Sequence, residues 1–149
     1  RAGEPRPLLV RQRSAREVYR LPFSTRIGLR YVNRLTPKAV GLSGKADALN
    51  MVRPEMTALL SVGPLSDSNE MLAQVVLADG GERLTIRVGF GIGKDDSFVL
   101  LDFDRFAEGQ LPLDDLNDRC QQYHDTIYNA FRWSIPETQW RRFGPQPGE

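Results

Sequence analysis

Thr25-Arg-Ile-Gly-Leu-Arg-Tyr-Val-Asn-Arg-Leu35 decides how the rest of the chain is read. Apolar side chains stand at Ile27, Leu29, Tyr31 and Leu35, and arginines stand at Arg26, Arg30 and Arg34. A period of two belongs to a β-strand, here with one buried face and one arginine-lined face. Its ten intervals at ~3.3 Å make it ~33 Å long. Gly28 inside it predicts a bulge or a close backbone approach. Asn33 falls on the apolar side and needs a hydrogen-bond partner if buried.

A strand of this length needs partners, and three downstream segments supply them. Met71–Ala78 is apolar on both faces. Asp79-Gly80-Gly81 is hairpin-turn chemistry. Arg83–Phe90 alternates, with Leu84, Ile86, Val88 and Phe90 on one face and Arg83, Thr85 and Arg87 on the other. Gly91 to Asp96 turns again, and Ser97–Asp104 reads as the last strand. Residues 105–112 read as a connection. From a cap at Asp114 to about Phe131, Leu116, Cys120, Tyr123, Ile127 and Phe131 form an apolar stripe at helical period. Eighteen residues at 1.5 Å each give ~27 Å, close to the length of the strands. Ser134-Ile-Pro-Glu137 reads as a capping box opening a short helix with Trp140 and Phe143.

Less is patterned elsewhere. Pro37, Gly41, Gly44 and Pro54 break residues 36–54 into a loop with a turn of helix around Ala46–Met51, and Glu55–Leu60 reads as a short helix. Ser14 with Glu17 can cap a few helical turns that Leu21-Pro22 stops. The expected class is α+β: an antiparallel sheet of about four strands, packed on one face by a long C-terminal helix, with a short terminal helix. Residues 14–143 form one domain in this reading, between a disordered or extended arm at 1–13 and a disordered tail at 144–149.

The bulk numbers fit. The 149 residues suit one domain, and the 40% apolar share supports a core. No apolar run approaches the ~20 residues of a membrane-spanning helix, so no membrane association is expected. A single cysteine, Cys120, excludes an internal disulfide and fits a reducing cytoplasm. The first residue is not Met, which fits a chain processed or cut from something longer. The net charge of +1 conceals a split: residues 1–53 hold 12 Lys/Arg against 3 Asp/Glu, and residues 54–149 hold 8 against 16. Such a split marks halves that complement each other, or a basic surface for an acidic partner.

The chemistry is sparse. Gly89-Phe-Gly-Ile-Gly-Lys94 lacks the spacing, the following Ser/Thr and the following helix of a phosphate loop. Cys120 and His124 lie one helical turn apart, but this is the only histidine and the only cysteine, so carboxylates would have to complete any metal set. No catalytic constellation or cofactor motif is complete. Asp102 and Asp104 project from one side of their strand. They can bind a metal, share a proton, or meet the arginine face. The candidate binding residues are therefore Arg26, Arg30, Arg34, Arg87, Asp102 and Asp104. Trp133 and Trp140 flank the last turn and are expected to seal the helix against the sheet.

Arg26-Ile-Gly-Leu-Arg-Tyr-Val-Asn-Arg34 resembles the signature of an uncharacterised, sporadically distributed family of bacterial proteins. Leu100-Leu-Asp-Phe-Asp104, Tyr123-His-Asp-x-Ile127, Phe131 and Ser134-Ile135 are similar to later parts of the same family, in the same order. Pro136 departs from it, standing where members commonly have Thr. The resemblance covers about residues 14–143 and implies the C-terminal half of a longer architecture. It implies no reaction. The expected function is a non-enzymatic interaction module that binds a protein partner, or a second copy of itself, through the arginine-bearing face or an open strand edge. The alternative is a nucleic-acid-binding module using the basic first third, ahead of a metal-dependent enzyme.

Overall fold

The computed structural model describes residues 22–94 and 96–143. The arm at 1–13, the helix at 14–20 and the tail at 144–149 lie outside the described residues. Four strands, β1 (Phe23–Leu35), β2 (Glu70–Asp79), β3 (Glu82–Ile92) and β4 (Ser97–Pro112), form one sheet in the order β1-β4-β3-β2, antiparallel throughout. The helices are α1 (Gly44–Asn50), α2 (Pro54–Thr57), α3 (Leu116–Ser134) and α4 (Glu137–Trp140). The expected α+β layer is present, with α3 on the sheet and a short helix after it.

β2 and β3 join through Gly80 and Gly81, whose φ angles of 54° and 89° suit a two-residue hairpin turn with both central residues left-handed. β4 is the central strand and the core's floor: Val99, Leu101 and Phe103 are wholly buried. Ile27, Leu35, Leu84, Val88 and Phe90 share that face with them, as the alternation requires. α3 lays Tyr123 and Ile127 onto it, with Phe131 edge-on to Phe103. α1 and the segment to Leu60 close one end of the core with Ala48, Met51, Val52 and Leu60. Asp96 holds this segment to the β3–β4 turn by accepting hydrogen bonds from the backbone N–H groups of Lys38, Gly44 and Ser97. Burial alone would raise its pKa, but those donors outweigh that and hold it below the usual carboxylate value.

Three expectations are corrected. β4 does not stop at Asp104 but runs on to Pro112, because the first half of β1 needs a partner: Phe23 faces Pro112 and Ile27 faces Ala107. No capping box forms at Ser134. Its hydroxyl donates to the Ala130 carbonyl inside α3, and the N-cap of α4 is Pro136. The N-cap of α3 is Asp115 rather than Asp114, without a side-chain cap bond. α3 ends where Ile135 turns extended ahead of Pro136, as a residue before proline tends to do.

Candidate functional site

The arginine face is the sheet surface opposite α3. Asp102 sits there in the middle of β4, only 3% exposed. Arg30 donates to it twice, from Nε at 2.8 Å and from its terminal amine at 2.7 Å. Arg87 adds a third bond at 3.1 Å. These charge-assisted donors, Arg30's first, overcome the cost of burial and hold the Asp102 carboxyl below its ordinary pKa; the same bonds raise that of Arg30. Arg26 lies 3.4 Å from Asp104 and 3.8 Å from Glu108. It also stacks on Phe106, 4.4 Å from the ring centre. Arg34 joins no carboxylate in this network and stacks on Phe98 at 4.3 Å.

The sequence thus named residues that the fold brings together. Arg26, Arg30, Arg87, Asp102 and Asp104 form one ladder, and Arg34 stands at its end. Glu108 belongs to it as well and was missed, because residues 105–112 read as a connection. The cations are engaged by carboxylates or rings, so the face is largely neutralised from within. The paired aspartates are occupied by arginines.

A second ionic cluster lies on the helix side. Glu82, the first residue of β3, accepts from Arg105 at 2.6 Å, Arg119 at 2.7 Å and the Tyr123 hydroxyl at 3.2 Å. It ties the first turns of α3 to β3 and β4. Sequence reading missed it; the only local signal was an acid directly after the glycine turn. Burial pushes the Tyr123 phenol up in pKa. Burial does the same to the Cys120 thiol, which disfavours its thiolate form. Its helix neighbour His124 faces β1 instead, with Nδ1 3.0 Å from the Tyr31 hydroxyl and its ring stacked on Tyr128. Among the described residues no group of three His, Cys, Asp or Glu side chains is placed to hold a metal ion. Nor is any described helix long and apolar enough to cross a membrane.

A broad apolar surface is exposed elsewhere. α3 lies chiefly against β4 and β1, and on the same face the β2 side chains Val75 and Leu77 stay more than half exposed while Leu84 and Val88 of β3 are buried. An apolar groove of about 440 Å³ remains there, floored by Val75, Leu77, Leu84 and Ile86 and walled by Ala130 and Trp133. Trp133 was expected to seal the helix; it is half exposed on the groove rim, with Arg53 over its ring, while Trp140 packs edge-on against Phe131. β2 borders the groove and, among the described residues, is one of the two edge strands of the sheet. Leu72 is 73% exposed and Val75, Val76 and Leu77 are each at least half exposed, on both faces of the strand. The two-sided apolar pattern of Met71–Ala78 is thus left exposed by the described residues.

Neither protein-family models nor comparisons with curated proteins and solved structures yield a match to this chain.

Proposed function

We propose that the chain is a non-enzymatic protein-interaction module that recruits its partner by strand addition at β2. The observation that carries this reading is the contrast between the two sheet edges. β1 bears Arg26, Arg30 and Arg34 and a register irregularity between Ser24 and Arg26, features that discourage edge-to-edge pairing. β2 pairs with β3 without interruption from Glu70 to Asp79 and contains no Lys, Arg or Pro. An unguarded edge beside an apolar groove offers backbone hydrogen bonds for affinity and a pocket for specificity.

The single cysteine suits a reducing compartment. The nucleic-acid alternative draws no support from Arg26, Arg30 and Arg87, which are spent on Asp102, Asp104 and Glu108.

Val76→Pro tests the proposal. It removes one outward backbone donor from β2 and leaves the core untouched. Immobilised wild-type chain should retain a protein, its own second copy included, that the variant retains at least tenfold less. Equal retention by both would overturn the reading.

A further inference from the structure

Resting on that reading of the β2 edge, we infer that its occupant is the β2 strand of a second copy, joined antiparallel about a two-fold axis midway between the two facing Val75 residues, normal to the sheet. The β2–β3 turn fixes which backbone groups are free. A two-residue hairpin of this type closes on Asp79 and Glu82 as a hydrogen-bonded pair. Alternation along the ladder then directs the N–H and C=O groups of Asp79, Leu77, Val75, Ala73 and Met71 toward β3. Those of Ala78, Val76, Gln74, Leu72 and Glu70 point out of the edge. A second β2 offers the same set, running the opposite way.

With Val75 facing Val75 across the axis, the other facing residues are complementary in size. Leu77 of one copy faces Ala73 of the other, and Leu72 faces Ala78, so large meets small on both faces of the sheet. Val76 faces Gln74, and these outward-pointing residues exchange about eight hydrogen bonds along the seam. Charge agrees. Glu70 and Asp79 are the only ionisable residues of the strand; Asp79 falls opposite Met71 and Glu70 opposite Gly80, so no like charges face each other. Leu72, Val75, Val76 and Leu77, the exposed apolar side chains of the edge, all enter the seam. The result is one continuous eight-stranded sheet. The two α3 helices stand on the same face, and the two apolar grooves lie side by side between them.

The register is directly testable by cross-linking the full chain with Cys120 replaced by Ser. Val75→Cys places two thiols at a non-hydrogen-bonded pair, ~4.5–5.5 Å apart between Cβ atoms, within reach of a disulfide. Leu77→Cys places them four residues out of step, ~13 Å apart, beyond its reach. Mild oxidation should convert most of the Val75→Cys chain to a covalent dimer and leave Leu77→Cys at least tenfold less cross-linked. Mixing Leu77→Cys with Ala73→Cys should restore cross-linking. Light scattering should give twice the 16.8 kDa chain mass, and Val76→Pro or Leu72→Lys should raise the dissociation constant at least tenfold while far-UV circular dichroism stays unchanged. A monomer at millimolar concentration, or equal cross-linking at positions 75 and 77, overturns the second copy as occupant. In that event a different protein retained by wild type and lost with Val76→Pro still upholds strand addition at β2. If Val76→Pro changes neither association nor retention, both readings fall.

Discussion

Arg30 does not pair with the residue directly across from it. Its register partner on β4 is Asp104, yet both its hydrogen bonds go to Asp102, one rung along, where Val32 stands opposite. Arg26 leans the same way, from its register partner Glu108 toward Asp104. The arginines therefore stitch β1 to β4 on the diagonal, and Arg87 reaches the same Asp102 from β3. One buried carboxylate thus joins three strands.

Removing that carboxylate should loosen the sheet. Asp102→Ala deletes three charge-assisted hydrogen bonds, while the arginines it releases can turn to water. A loss of about 2–3 kcal/mol is expected, read as a lower urea midpoint at unchanged slope. A midpoint within experimental scatter of wild type would mean that the ladder is decorative.

The same group sets an acid limit. Its folded pKa lies below the unfolded value of ~3.9, so its contribution is complete above that value and is lost as pH falls through the folded one. Between pH 6 and 2.5, wild-type stability should drop more steeply than that of Asp102→Asn, with the divergence confined below about pH 4. Parallel curves would show that other carboxylates govern acid unfolding.

Glu82 is expected to anchor the start of α3. Glu82→Gln keeps the shape and removes the charge that Arg105 and Arg119 share. A loss of about 1.5–3 kcal/mol follows, together with faster amide exchange in the first two turns of α3 than in its last two. Uniform acceleration along the helix would assign Glu82 to general stability instead.

Cys120 should react slowly. Burial raises its pKa, so little thiolate forms near neutral pH. Its labelling rate by a disulfide reagent at pH 7.5 should be at least tenfold below that of the urea-unfolded chain. Equal rates would show an open thiol.

Much of this architecture was written locally. The alternation at 83–90, the glycine pair at 80–81 and the stripe from Leu116 to Phe131 each fix an element by short-range chemistry, and the structure has all three. The arginine and aspartate positions followed from strand period alone, and so did their convergence on one face. What local pattern could not give was the extent of pairing. Arg105-Phe-Ala-Glu-Gly-Gln-Leu-Pro112 holds a glycine at φ 129° and ends in proline, both signs of a connection, yet it is strand because β1 lies beside it. Glu82 and Glu108 became visible only through partners 23 to 82 positions away in the chain. The period of α3 showed that it covers a sheet, and not that it leaves the β2 edge exposed.

The close approach at Gly28 carries a consequence for how the chain finds one alignment among several. Arginines at every fourth position make β1 an ambiguous ruler: slide it by four residues and arginine again lies where arginine lay, with apolar and polar faces preserved. Gly28 removes the ambiguity. A Cβ at its place would come 2.9 Å from the Phe106 Cβ. A slip in one direction brings Val32 to that point, and a slip in the other brings Ser24. Both carry a Cβ, which on this backbone would meet the Phe106 Cβ, and Gly28→Val should penalise the native alignment by about 1–3 kcal/mol. The residue of the run that has no side chain at all is thus the one that tells these alignments apart by contact.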